Sequence, residues 1–164
     1  MRRLRRDCER RLAGVPVPSP FDLDEFCQGV ARVRGRRLRL QGLPGLSAQA
    51  PCGMWLALPS ADYILFDSDT SPLHAEHIVL HEVGHILCNH SIAADIDNSM
   101  LSRLMPDLDP RAVARVLGRV QYPTEQEQEA EMIASLIRAR ADRVSRDRRP
   151  DPLGRLADAL TFEP

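Results

Sequence analysis

No lysine occurs in this chain: all 22 of its basic residues are arginine. That bias reads as GC-rich coding rather than as a functional signature. Aromatic residues are scarce at 4%, so aliphatic side chains must fill the core. The four cysteines (Cys8, Cys27, Cys52 and Cys88) include no C-x-x-C pair. Nothing in their spacing resembles a zinc knuckle or a disulfide framework, and reduced thiols in a cytoplasmic protein are the expectation. No run approaches the roughly 18 apolar residues of a membrane span, and no apolar stretch follows Arg2, Arg3, Arg5 and Arg6 as a secretion signal would require. The chain reads as neither secreted nor membrane-spanning.

What is present suits an ordinary globular domain. The 164 residues are 43% hydrophobic and 27% charged, with a net charge of -1. Charge is uneven: residues 1–40 hold 11 Arg against 5 acids, and residues 41–110 hold one Arg against 9 acids. A basic edge beside an acidic middle suggests internal complementarity or a polar partner, and does not by itself indicate nucleic acid. No internal repeat or long linker divides the chain, so one domain over 1–164 is expected, with an Arg-rich segment at 1–20 and an Arg/Pro-containing tail at 142–164.

Residues 2–13 predict an Arg-rich helix with Leu4, Cys8 and Leu12 as a narrow apolar stripe. Pro16, Pro18 and Pro20 break it. Asp22 is placed to cap a second helix over 23–33, whose Leu23, Phe26, Cys27, Val30 and Ala31 follow helical spacing. After Gly35 the period changes to two, and Leu38 and Leu40 mark a half-buried strand. Two apolar runs at 53–58 and 63–66, joined by Pro59-Ser60-Ala61-Asp62, predict a β-hairpin. Ser71 and Pro72 announce a further helix as N-cap and first position. Beyond it, short helices are expected around 100–105 and 109–120, a longer one after Pro123-Thr124, and a possible last one around 153–160. The fold class expected is α+β: a small, mostly antiparallel sheet packed on one central helix, with a mainly helical C-terminal half.

That central helix holds the chemistry. It contains H-E-x-x-H as His81-Glu82-Val83-Gly84-His85. On a helix, positions i and i+4 lie about 40° apart and one turn on, so both imidazoles can face one metal ion. Glu82, about 100° around from His81, is set off from the pair and placed to act as general base. Ile78, Val79, Leu80, Val83, Ile86 and Leu87 make the segment a buried helix, where two histidines and a glutamate are costly without partners. Gly84 costs about 1 kcal/mol relative to alanine in a helix interior, which implies a close neighbour.

A catalytic zinc site needs a third protein ligand and one open position. Glu127 and Glu131 are four residues apart on the helix after Thr124, with Ala130 and Ala134 small enough to admit another backbone. Glu127 can bind the metal there, with Glu131 bonded to a ligating histidine. Thr124-x-x-Glu127 is equally a capping box, and the residues alone leave the two readings level. His77, one turn before His81, is a weaker candidate for orienting a ligand and competes with a hydrogen-bonded core histidine. His74 and His90 read as ordinary helix-end residues, and Cys88 as a small core residue.

The stretch His81–Leu87, preceded by a hairpin and followed by Glu127-Gln128-Glu129-Ala130-Glu131-Met132-Ile133-Ala134, resembles the ImmA/IrrE family of zinc-dependent endopeptidases, whose second motif reads E-x-x-A-[N/D]-x-F-A. The resemblance implies a zincin-like fold, one Zn²⁺ ion, and Glu127 as third ligand beside His81 and His85. Glu131 stands where the family has Asn or Asp, and Ile133 where it has Phe. The resemblance further implies a cytoplasmic metalloprotease that cuts a helix-turn-helix transcriptional repressor. An exposed hairpin edge, from 54–58 or 63–67, can align an extended substrate. Tyr63 and Tyr122 are possible oxyanion donors, though tyrosines more often pack. Two rivals remain: a non-catalytic module that holds a repressor or toxin partner, and, ranked last, DNA binding through the Arg-rich N-terminus. No membrane partner is expected.

Overall fold

The computed structural model describes residues 1–46, 53–57, 61–90 and 122–147. Four helices and three strands lie among them: α1 (Arg2–Leu12), α2 (Leu23–Arg34), β1 (Leu38–Leu43), β2 (Gly53–Ala57), β3 (Asp62–Asp67), α3 (Pro72–Cys88) and α4 (Thr124–Asp147). The architecture is α+β. Expected helices at 100–105, 109–120 and 153–160 fall outside the described residues, as do Cys52 and the loop residues Pro59 and Ser60. No described helix is long and apolar enough to cross a membrane.

Local signals act as their chemistry dictates. The Asp22 carboxylate accepts the Glu25 N–H at 2.7 Å and opens α2, while Gly35 at φ 68° closes it. Ser71 Oγ accepts the His74 N–H at 3.2 Å, with Pro72 in the first turn of α3. On α1, Cys8 and Leu12 are buried while most of the arginines face solvent; Arg5 pairs with Glu9 at 2.9 Å and Arg10 with Asp7. Arg11 bonds the Cys88 carbonyl at 3.2 Å, and Arg140 bonds the Leu12 carbonyl at 3.2 Å, so α1 is tied to both α3 and α4.

The sheet departs from expectation. Its order is β1-β3-β2, with β2 antiparallel to β3 and β1 parallel to it. It is therefore mixed rather than mostly antiparallel. Period-two alternation identifies a strand and its buried face but not its neighbour, and β1 takes the side of β3 that the hairpin leaves free. As the central strand, β3 is apolar along Ile64 and Leu65, both fully buried. Its 63–67 stretch is paired on both sides and has no open edge, so of the two hairpin strands only β2 offers one among the described residues. Asp62, at the start of β3 rather than in the loop, is buried and accepts from Arg34 at 2.6 Å and Arg36 at 3.3 Å.

Helix α3 runs between the sheet and α4. Ile78, Val79, Leu80, Val83 and Ile86 are all buried, as are Ala130, Ile133, Ala134 and Ile137 of α4. The two helices meet at Gly84, where an added Cβ would lie 2.6 Å from the Ala130 carbonyl oxygen and 2.7 Å from its Cα. The close neighbour that Gly84 implied is the backbone of Ala130. That contact sets the distance at which side chains on the two helices can share a ligand.

Candidate metal centre

Around the Gly84–Ala130 contact the structure brings His81, His85 and Glu127 together. His81 Nε2 lies 3.1 Å from His85 Nε2 and 3.1 Å from Glu127 Oε2, and His85 Nε2 lies 3.7 Å from Glu127 Oε1. A tetrahedral ion with donors at about 2.0–2.1 Å separates its ligand atoms by about 3.3 Å. Measured to whichever Glu127 oxygen is nearer, the separations lie on either side of that value, and one ligand atom from each residue lies within 4.8 Å of the others, so the three side chains could hold one metal ion. Two imidazoles and one carboxylate also match the donor set of catalytic zinc sites.

The capping reading of Glu127 is not what the backbone adopts. Thr124 is already the first helical residue, and the Glu127 N–H donates to the Pro123 carbonyl at 3.1 Å. The Glu127 carboxylate is left to face the histidines. Glu131 lies 3.4 Å from His81 Nδ1 and 3.3 Å from His77 Nε2. It thus reaches the far nitrogen of a candidate ligand, as a carboxylate that orients a metal-bound histidine does. His77 is brought to Glu131 and not to the cluster itself.

Glu82 lies between the centre and the sheet. Its carboxylate accepts a hydrogen bond from the Trp55 backbone N–H, while Oε2 is buried with no hydrogen-bond partner among the described residues. Burial pushes its pKa up to about 8, the Trp55 bond opposing and the Glu127 charge adding. Room for it exists because position 53 is glycine: a Cβ there would sit 3.1 Å from Glu82 Oε1 and 2.3 Å from Ile78 Cγ2. His85 is fully buried, and burial, then the neighbouring His81 and His90, pull its pKa down to about 3. A neutral imidazole is the form that binds metal.

Two further side chains pack against His85. The Tyr122 ring stacks on His85 with centroids 3.6 Å apart; its hydroxyl is buried with no partner among the described residues. Burial, followed by the charges of Glu82 and Glu127, raises the Tyr122 pKa. His90, read as a helix-end residue, is only 5% exposed and packs against His85. The signal for it was Asn89, a residue that tolerates the left-handed conformation and can turn a chain back under the helix it ends. With Cys88 and Glu129, His90 forms a second group whose potential ligand atoms lie within 4.8 Å of one another. Comparison of the chain with protein-family models, curated proteins and solved structures finds no match.

Proposed function

We propose that this chain is a zinc-dependent endopeptidase. The observation that carries the reading is the convergence of His81, His85 and Glu127 close enough to hold one metal ion, with Glu82 buried between the two histidines in the chain. Zinc bound by those three residues would supply a Lewis acid that polarises a carbonyl and acidifies water. Glu82 is the general base: it takes a proton from the attacking water and delivers it to the leaving amine. The Tyr122 hydroxyl is a donor available to an oxygen that develops charge.

The open edge of β2 supports a peptide substrate. A segment added to that edge by main-chain hydrogen bonds would run past Trp55, the residue whose N–H meets Glu82. The resemblance of both motifs to the ImmA/IrrE endopeptidases favours a helix-turn-helix repressor as substrate and a cytoplasmic setting.

The test is incubation of the purified, zinc-loaded protein with a repressor encoded beside it, followed by mass analysis of the products. Cleavage is expected from the wild type and not from Glu82→Gln or chelator-treated protein. If Glu82→Gln relieves repression as fully as wild type, the chain is a non-catalytic module that acts by holding its partner.

A further inference from the structure

The end of α3 carries an arrangement that the peptidase reading leaves unused. Asn89 adopts φ 55°, and the His90 N–H returns to the His85 carbonyl at 3.0 Å. This turn folds the His90 ring beside His85, with the two Nδ1 atoms 3.0 Å apart. On its other side His90 Nε2 lies 2.8 Å from Glu129 Oε2. The Cys88 thiol also hydrogen-bonds Glu129. His85 and His90 are buried, and Glu129 is partly so.

The proton positions follow from the contacts. The Glu129 carboxylate only accepts, so His90 Nε2 must carry hydrogen. A neutral His90 then has a bare Nδ1, which needs a donor, and the nitrogen facing it is His85 Nδ1. With hydrogen on Nδ1, the other His85 nitrogen is bare, and that nitrogen is the one facing His81 and Glu127. We propose that His90 and Glu129 are positioning residues for the metal centre: they hold His85 in the Nδ1–H tautomer and aim its Nε2 lone pair at the position shared with His81 and Glu127. The inference rests on the metal-binding part of the function proposed above, and its tests require no substrate.

Zinc affinity by chelator competition, zinc stoichiometry and histidine ¹⁵N spectra of the zinc-loaded full chain test it. Loss of a partner that orients a ligating histidine typically weakens metal binding about 10–100-fold, and His90→Phe is expected to fall in that range. Asparagine places its carbonyl oxygen where Nδ1 sits, so His90→Asn should recover much of the affinity although it fills the space less well. Glu129→Gln should weaken binding by less than His90→Phe. The spectra should show hydrogen on His90 Nε2 and a coupling across the His85–His90 bond.

Equal or tighter binding by His90→Phe than by His90→Asn overturns the proposal, because packing would then be the whole role. So does hydrogen on His90 Nδ1. Should His90→Phe fail to fold, the wild-type spectra and Glu129→Gln decide. Two zinc ions per wild-type chain and one in Cys88→Ser would instead make Cys88, His90 and Glu129 a second metal site. Wild type that binds no zinc overturns both readings. The expected ranking in a protein that cleaves nothing overturns only the peptidase.

Discussion

The Cα of Ala130 lies where a Cβ on Gly84 would be only 2.7 Å away. Helix propensity alone predicts that Gly84→Ala stabilises by about 1 kcal/mol. Here the obstacle is backbone, which cannot swing aside as a flexible side chain would. Overpacking of this kind costs about 1–3 kcal/mol, and the helices must separate to relieve it. Urea unfolding should show net destabilisation, and zinc affinity should fall with it. A more stable Gly84→Ala protein that binds zinc normally would refute the close approach.

Glu127→Ala separates the ligand role from a structural one. The Glu127 N–H already has the Pro123 carbonyl, so helix α4 should start unchanged. Chelator-treated variant and wild type are expected to melt within about 1 kcal/mol of each other, since the partly exposed Glu127 loses only its contacts with His81 and His85. Zinc affinity should fall by more than the roughly 100-fold that outer partners account for. A variant that melts early but binds zinc normally would return Glu127 to a capping role.

Glu82 and His85 give the metal-free protein a signed pH dependence. Glu82 rises from 4.5 to about 8 on folding, so its stabilising contribution is complete below about 4.5 and is lost as pH climbs to about 8. His85 drops from 6.5 to about 3, so its contribution is present above about 6.5 and is lost as pH falls toward 3. The two slopes oppose each other between about 4.5 and 6.5. Denaturant titrations of chelator-treated protein should show stability declining on either side of that window. Glu82→Gln is expected to flatten the decline from about 6.5 to 8, and an unchanged slope in that variant would rule Glu82 out as its source.

Asp62→Asn probes the base of the sheet. Asp62 is fully buried and accepts from Arg34 and Arg36, whose side chains are 23% and 36% exposed. Hydrogen bonds to charged groups contribute about 1.5–3 kcal/mol, and the arginines can partly recover water. A loss of about 1–3 kcal/mol in urea unfolding is expected, with zinc affinity unchanged. An equally large loss of zinc binding would mean that the sheet, and not the helix pair alone, sets the centre.

Features set within one segment were legible in the sequence. His81 and His85 on one helix, the caps at Asp22 and Ser71, and the half-buried strand at Leu38 and Leu40 each follow from local spacing. Glu127 stood level with its capping alternative because only the α3–α4 contact decides where its carboxylate points. The parallel pairing of β1 was hidden, since alternation carries no record of a partner. His90 was hidden for a related reason: helical periodicity stops at Cys88, and the left-handed Asn89 then returns the chain by a rule of its own.

Helix α4 presents its glutamates on opposite flanks of Ala130. Glu127 and Glu131 sit at about +60° and +100° from it around the axis, and Glu129 at about -100°. Rolling the helix in place would therefore work as a seesaw, lowering one carboxylate toward its imidazole while lifting the other from His90. The Ala130 backbone against Gly84 is the fulcrum. A side chain added at position 84 would press on that pivot from the facing helix.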